Sequence, residues 1–275
     1  MNPWQLLDKS LCDPDFRAVD KGDALRQIAE RAARAPALND LGVENLHRLL
    51  AEREQEVSTG LGGGFAIPHA RVQGLSEFVM FMVVSSKGID FDALDDEKVQ
   101  VFVVIFAPAN RDKEHLRLLA TVSRVLAKRS ILKELTAAKT EEALHETFAR
   151  ALTDEEAPSS TPQGRKKLFL ITLFYEADLD DVLEYLIEYG IEGATVIDGK
   201  NMGSYVSAMP LFASFLGFMR EDQEGAKIIM TLIDAGIEQA LVKGIERITG
   251  NLDKRQGALL LSLDVSFAKG TLSMI

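Results

Sequence analysis

The stretch STGLGGGFAIPHAR, residues 58–71, places a histidine behind a glycine cluster and a proline. Glycines let main-chain N–H groups come close to an anion, and a proline stiffens the chain around it. Neutral imidazole is a nucleophile near pH 7, and a phosphoryl group on its nitrogen stays reactive because that nitrogen is a good leaving group. The segment therefore predicts that His69 accepts a phosphoryl group beside a phosphate-binding loop.

The donors of this loop would be the main-chain N–H groups of Gly62, Gly63 and Gly64 and the hydroxyls of Ser58 and Thr59. Phosphoryl transfer depends mostly on positioning and on stabilising the phosphoryl oxygens, which such donors supply. The segment lacks the Lys-Ser/Thr that closes a P-loop, and His69 has no neighbour at metal-ligand spacing, so no metal site is expected. A simple glycine-rich turn, with His69 as a surface or satisfied core histidine, stays open at this point.

The first part of the chain alternates helical stripes with apolar runs. The runs 78–84 and 99–108 are rich in β-branched and aromatic residues and predict strands buried on both faces. Asp112 is placed to cap a helix that carries His115, and Thr140 is placed to cap a later helix. These features predict an α/β (α+β) fold whose N-terminal domain is a mixed sheet flanked by helices.

The second part predicts the order βαββαβ. Strands are expected at 168–175, 194–198, 227–234 and 257–267, with helices after the first and third of them. This order is the ferredoxin-like plan. Because residues 153–167 are rich in acidic, Ser/Thr, Pro and Gly residues, the expected domains are 1–153 and 167–275, joined by a linker at 154–166.

Charge and composition exclude several classes of protein. The net charge of −11 argues against general nucleic-acid binding, which needs clustered Lys and Arg. No stretch is long and apolar enough to span a bilayer, and the N-terminus lacks the layout of a signal peptide. The single cysteine, Cys12, forms no internal disulfide. A bacterial-type cytoplasmic protein is expected.

The run REQEVSTGLGGGFAIPHAR, residues 53–71, resembles the active-site region of the fructose/mannitol-type enzyme IIA domains of the phosphoenolpyruvate:sugar phosphotransferase system, including their nitrogen-regulatory branch. The run HLRLLATVSRVLA, residues 115–127, resembles the second-histidine helix of that family. The resemblance implies that His69 takes its phosphoryl group from the phosphohistidine of an HPr-type carrier. It also implies that His115 stabilises charge or holds the His69 ring, that Arg53 neutralises phosphoryl oxygens, and that no cofactor is needed beyond the transient phosphoryl group.

Residues 167–204, with the stretch VIDGKNMG, resemble the first half of nitrogen-regulatory PII-like proteins. That resemblance implies a homo-oligomer, a trimer in that family, with small-molecule ligands in the clefts between subunits. The chain departs from the family's phosphate-binding GDGK loop, since it has TGNLDKRQG at 249–257. ATP binding is therefore not predicted. The apolar connection from Gly199 to Gly225 predicts a short helix packed on the sheet of its own domain or in a subunit interface. A surface that docks a partner or a membrane stays open as the alternative.

The leading hypothesis is a regulatory phosphotransferase that couples phosphorylation of His69 to ligand sensing in the second domain. Regulation is favoured over sugar uptake because the chain has neither a IIB domain nor a membrane domain to receive the phosphoryl group. Two alternatives stay open. One is a non-catalytic interaction protein with an unphosphorylated IIA domain, and the other is a sugar-uptake component that passes phosphate to a separate IIB subunit.

Overall fold

The computed structural model describes residues 3–93, 95–155, 166–191, 193–200, 225–254 and 257–268. By its internal contacts the chain divides into two compact units. The first consists of Met1–Thr161 and Ile187–Gly190, and the second of Pro162–Leu186 and Ile191–Ile275. Most of the expected linker, residues 156–165, lies outside the described residues.

The N-terminal region combines five helices with five strands. The helices are α1 (Lys21–Ala32), α2 (Val43–Glu56), α3 (Asp112–Leu126), α4 (Arg129–Ala137) and α5 (Glu141–Glu155). The strands are β1 (Gly60–Gly62), β2 (Phe65–Ala66), β3 (His69–Val72), β4 (Val79–Ile89) and β5 (Val99–Pro108). Short 3-10 turns span Pro3–Leu6, Lys9–Leu11 and Asn39–Leu41.

Strand β5 lies at the centre of the first sheet. β4 pairs with it antiparallel, β2 and β3 pair with it parallel, and β1 extends the sheet by pairing antiparallel with β2. Every residue from Val101 to Ala107 is buried, because helices cover the sheet on both faces. Burial of each large apolar side chain contributes about 2 kcal/mol. The predicted mixed sheet flanked by helices is confirmed.

Two helices of this unit bring polar side chains into the core. The buried stripe of α2 is Leu46, Leu50 and then Glu54, so a carboxylate continues an apolar face. The sequence predicts Asp112 as the cap of helix α3, but the helix begins at Asp112 itself. Its N-cap residue is Arg111, whose side chain makes no capping bond. Asp112 thus lies in the first turn, where a negative charge favours the helix dipole. Thr140 accepts a bond from the Ala143 N–H at 3.1 Å, as a capping residue does.

The second unit is built on one antiparallel sheet. Its strands are β6 (Lys166–Leu173), β7 (Ala194–Gly199), β8 (Ala226–Asp234) and β9 (Ala258–Asp264), in the spatial order β7-β8-β6-β9. Helix α6 (Leu179–Glu188) follows β6, and helix α7 (Glu238–Thr249) follows β8, each after a 3-10 turn at Glu176–Asp178 and Ala235–Ile237. The Tyr185 hydroxyl of α6 donates to the Ala240 carbonyl of α7 at 2.9 Å, and Gly244 leaves room for its ring.

The two faces of this second sheet differ. On one face Phe169, Ile171, Leu173, Ile229 and Ile233 are buried. The alternate residues on the other face are almost all apolar: Leu168, Leu170, Ile197, Ile228, Met230, Leu232, Leu259, Leu261 and Leu263. Ile197, Leu259, Leu261 and Leu263 are each about half exposed, between 45% and 53%. We call these nine residues the open face.

Within the part of the chain that the structure describes, no helix has the length and hydropathy needed to cross a membrane. The apolar connection between Gly199 and Gly225 falls on residues 201–224, which lie outside the described residues, and so does Arg255 of the basic turn.

Candidate active site

His69 is the first residue of β3, where that strand pairs with the middle of the central strand β5. Its register partner is Ile105, whose N–H donates to the carbonyl of Pro68 at 3.0 Å. Pro68 therefore fixes the chain immediately before the histidine, because its carbonyl is bonded and its own ring restricts the backbone. The side chain of His69 is only 2% exposed.

The two ring nitrogens of His69 have different partners. Nδ1 lies 2.8 Å from the carbonyl oxygen of Ile67, and a carbonyl only accepts, so we assign the ring proton to Nδ1. Nε2 then carries the lone pair, and it accepts a bond from Nε of Arg53 at 3.1 Å. Nε2 is thus the nitrogen on which this ring can act as a nucleophile.

Arg53 reaches His69 from the last turn of α2. Its side chain is 14% exposed, and its Nη1 donates to the carbonyl of Val57 at 3.0 Å. Its Nη2 forms an ion pair with the carboxylate of Glu188. Because the planar guanidinium is held at three atoms, it presents a fixed positive charge at Nε2.

Glu188 lies in the segment Ile187–Gly190, which belongs to the first unit. Its Oε1 is 3.2 Å from Nε2 of His69, its side chain is 2% exposed, and its carbonyl accepts from the hydroxyl of Ser123. Burial opposes ionisation of this carboxyl, but the positive charge and hydrogen bond of Arg53 outweigh it and lower its pKa. An anionic group therefore stands beside Nε2. The sequence did not single out Glu188, because it looks like any other helix acid.

His115 lies in the first turn of α3 with its ring centroid 5.3 Å from that of His69. It is fully buried, and among the described residues neither of its nitrogens has a hydrogen-bond partner. Burial lowers the pKa of His115 to about 2, and the positive charges of Arg71 and Arg53 act in the same direction. His115 is therefore a neutral ring that contacts His69 by packing.

The glycine loop forms the tight hairpin between β1 and β2. Gly62, Gly63 and Gly64 have φ values of +85°, +62° and +83°, which residues other than glycine rarely adopt. The Gly63 N–H donates to the Asp95 carboxylate at 2.7 Å. The main-chain N–H that the sequence assigned to a phosphate oxygen thus has a carboxylate partner in this structure.

The two hydroxyls of the segment also have protein partners. Ser58 Oγ donates to the carbonyl of Phe91 at 3.1 Å, and Thr59 Oγ1 donates to Glu54. The structure therefore brings Arg53, His69 and His115 together, whereas Ser58 and Thr59 use their hydroxyls to hold the loop.

Comparison with known proteins identifies the family of the first part of the chain. The family described as phosphoenolpyruvate-dependent sugar phosphotransferase system, EIIA 2, matches residues 5–151, which is more than half of the chain. The chain therefore belongs to this family, as the sequence predicted. The match ends before the second sheet begins.

Named relatives come from two branches. A nitrogen regulatory protein of Klebsiella oxytoca is 33% identical over 153 residues, 55% of this chain and 93% of that protein. A fructose-specific EIIA component of Haloferax volcanii is 34% identical over 103 residues, 38% of this chain and 67% of that protein. The solved nitrogen regulatory protein IIA-Ntr of Neisseria meningitidis covers 53% of this chain and 97% of its own, with 24% identity and a TM-score of 0.49.

Proposed function

We propose that this protein is a regulatory phosphotransferase that accepts a phosphoryl group on Nε2 of His69 from the phosphohistidine of an HPr-type carrier. The observation that supports it most directly is the ring of His69, whose Nδ1 is bonded to a carbonyl while Nε2 faces Arg53. In the reaction Nε2 attacks phosphorus, the phosphorus–nitrogen bond of the carrier breaks, and the carrier imidazole leaves with the electron pair. The proton of His69 stays on Nδ1, bonded to Ile67.

Arg53 supports this step electrostatically. Phosphoryl oxygens carry negative charge throughout the transfer, and a guanidinium pairs with them through two parallel bonds. In the present structure that guanidinium pairs with Glu188, and the loop amide of Gly63 pairs with Asp95. Incoming phosphoryl oxygens would take over the Arg53 guanidinium from Glu188, whereas in the described part of the chain no contact joins the Gly63 amide to His69.

The test is intact-mass analysis after incubation with phosphoenolpyruvate, enzyme I and an HPr-type carrier. We expect one acid-labile phosphoryl group on the wild type and none on His69→Ala. His47→Ala is the matched control, since His47 lies on α2 and is not one of the proposed site residues. An unmodified wild type with carriers of both branches would refute the proposal and favour a non-catalytic interaction protein.

Passage of phosphate to a separate IIB subunit is the second candidate, because one named relative is a fructose-specific EIIA component. Transfer of label from the phosphorylated protein to such a subunit would support sugar uptake over regulation.

We further propose that residues 167–275 form a ferredoxin-like, PII-like domain that senses a small molecule and assembles into a homo-oligomer in the cytoplasm. The order of strands and helices and the spatial order β7-β8-β6-β9 support the ferredoxin-like plan. The open face supports assembly, because a contiguous apolar surface of this kind is typical of an interface.

The assembly is tested by sedimentation of the wild type and of Leu261→Lys, whose side chain is 50% exposed in the middle of the open face. We expect a wild-type oligomer and a dissociated variant, since a buried charge at an interface is costly. Val19→Lys, at a position that is 90% exposed in the first unit, is the control. A monomeric wild type at all concentrations would overturn this part of the proposal.

A further inference from the structure

A continuous path of hydrogen bonds joins the ring of His69 to a buried ion pair near the start of α1. Nδ1 of His69 lies 2.8 Å from the Ile67 carbonyl, and the Ile67 N–H donates to the Thr59 carbonyl at 3.0 Å. Thr59 in turn donates its own N–H to the Glu54 carboxylate at 3.1 and 3.2 Å. Glu54 is paired with Lys21, whose Nζ is 2.8 Å from Oε1.

The carboxylate at the centre of this path is almost completely buried. The Glu54 side chain is 3% exposed, and burying a carboxylate is costly unless it is paired and bonded. Both requirements are met, since Lys21 supplies the charge and Thr59 supplies an N–H and a hydroxyl. Bonds to an ionised acceptor are stronger than neutral ones, so the turn at Thr59 is fixed more firmly than a neutral side chain would fix it.

Lys21 is itself held in place. Its ammonium also contacts Asp92 at 3.2 Å and lies 5.2 Å from the ring centroid of Phe91. The main-chain carbonyl of this same Phe91 accepts the hydrogen bond from the Ser58 hydroxyl. The ion pair therefore anchors both residues that precede the glycine loop.

We infer that Glu54, held by Lys21, is a positioning residue that sets the tautomer of His69. Resting on the function proposed above, this inference assigns to Glu54 the task of keeping the lone pair on Nε2. If the turn at Thr59 shifts, the Ile67 carbonyl moves with it and Nδ1 loses its acceptor. The ring then populates the tautomer with the proton on Nε2, which cannot attack phosphorus.

The main test compares Glu54→Gln with the wild type by nitrogen-15 spectra of the histidine rings, assigned with His69→Gln. We expect a single Nδ1–H tautomer in the wild type and a mixture in the variant. The rate of phosphorylation should fall roughly tenfold, the size expected for loss of a bond to a charged group. Glu52→Gln is the matched control, because Glu52 lies on the same helix with its side chain 55% exposed.

Two further variants separate the parts of the path. Lys21→Met removes the cation and should shift the His69 tautomer in the same direction as Glu54→Gln. Thr59→Val removes the hydroxyl but keeps the N–H and the carbonyl, so the tautomer should change little. If the Thr59 hydroxyl instead binds the phosphoryl group, Thr59→Val will slow transfer while the tautomer stays as in the wild type.

The tautomer of the unphosphorylated protein can be measured whether or not transfer occurs. A wild type that is not phosphorylated would therefore refute the proposed function but leave this inference testable. Glu54→Gln with the wild-type tautomer and a lowered melting temperature would overturn the inference and leave Glu54 with a structural role only.

Discussion

The strand end that carries His69 and the helix start that carries His115 place two buried imidazoles with centroids 5.3 Å apart, yet the two rings are bound in opposite ways. His69 has a carbonyl at Nδ1 and a guanidinium at Nε2. His115 has no hydrogen-bond partner among the described residues and is kept neutral by burial. Hydrogen bonds select which nitrogen of a neutral imidazole holds the proton, so we expect His69, and not His115, to act as the nucleophile.

The largest effect should come from replacing the planar guanidinium of Arg53, which bonds Nε2 of His69. Lysine in place of Arg53 retains the charge but cannot bond Nε2, the Val57 carbonyl and Glu188 together. We expect Arg53→Lys to slow phosphorylation of His69 by roughly 100-fold, the scale for loss of one oriented donor at a reacting group. Rapid-quench measurement of transfer from the phosphorylated carrier gives the rate.

The control for this change is Arg48→Lys, since Arg48 lies on α2 with its side chain 57% exposed. A wild-type rate in Arg53→Lys would show that positive charge alone is sufficient and that the fork geometry is not needed.

A smaller effect of opposite sign is expected from Glu188. Its carboxylate stands 3.2 Å from Nε2 and competes for Arg53, so it repels an incoming phosphoryl group. Glu188→Gln should raise the transfer rate roughly tenfold, equal to about 1.4 kcal/mol of relieved repulsion. The same rapid-quench assay measures it, with Asp181→Asn as the exposed acid-to-amide control from the same helix.

A slower Glu188→Gln would mean that this carboxylate holds Arg53 in place and does not oppose the reaction. Either result sharpens the contrast between the two rings, because neither nitrogen of His115 has a hydrogen-bond partner among the described residues.

A third effect concerns His115 and acts on stability, not on the transfer rate. The pKa of His115 is about 2 in the folded chain and near 6.5 in the unfolded chain. Below pH 6.5 the unfolded chain therefore binds a proton at His115, whereas the folded chain does not. The contribution of His115 to the free energy of unfolding is therefore fully present above pH 6.5. It is lost as the pH decreases below that value, by up to about 1.4 kcal/mol per pH unit. Urea unfolding at pH 7.5, 6.0 and 5.0 checks this.

His115→Leu should flatten that dependence, since it removes the group that titrates only in the unfolded state. Glu188 affects the free energy of unfolding only at lower pH, because its carboxyl is protonated in the unfolded chain only near pH 4.5 and below. Equal slopes for the wild type and His115→Leu between pH 6.5 and 5.0 would contradict the buried neutral assignment.

The sequence was sufficient for much of the first sheet, and it singled out residues that the structure brings together. The motif at 53–71 predicts His69 and Arg53 as site residues, and the apolar runs identified the two central strands, because both signals are local. The side-chain partners of Ser58 and Thr59 were not predictable, since Phe91 becomes a neighbour of Ser58 only after the sheet forms. Glu188 lies beyond the matched segment 5–151 and carries no local signal.

The position of Glu54 in the sequence indicates its buried environment. It stands four residues after Leu50 and eight after Leu46, on the buried stripe of α2, where a carboxylate requires a buried partner. The sequence shows that such a partner must exist, but only the fold identifies it as Lys21 and Thr59.

The hydrogen bond from the Ile67 N–H to Thr59 controls how fast this main-chain amide exchanges its proton with solvent. The Ile67 N–H is bonded to Thr59, and both residues are only 1% exposed, so this amide exchanges with deuterium only when the turn opens. Its exchange rate is therefore a direct measure of the free energy that keeps the turn closed. Because the turn is bonded through Ile67 to the His69 ring, one main-chain proton reports how firmly the chain holds the proposed nucleophile.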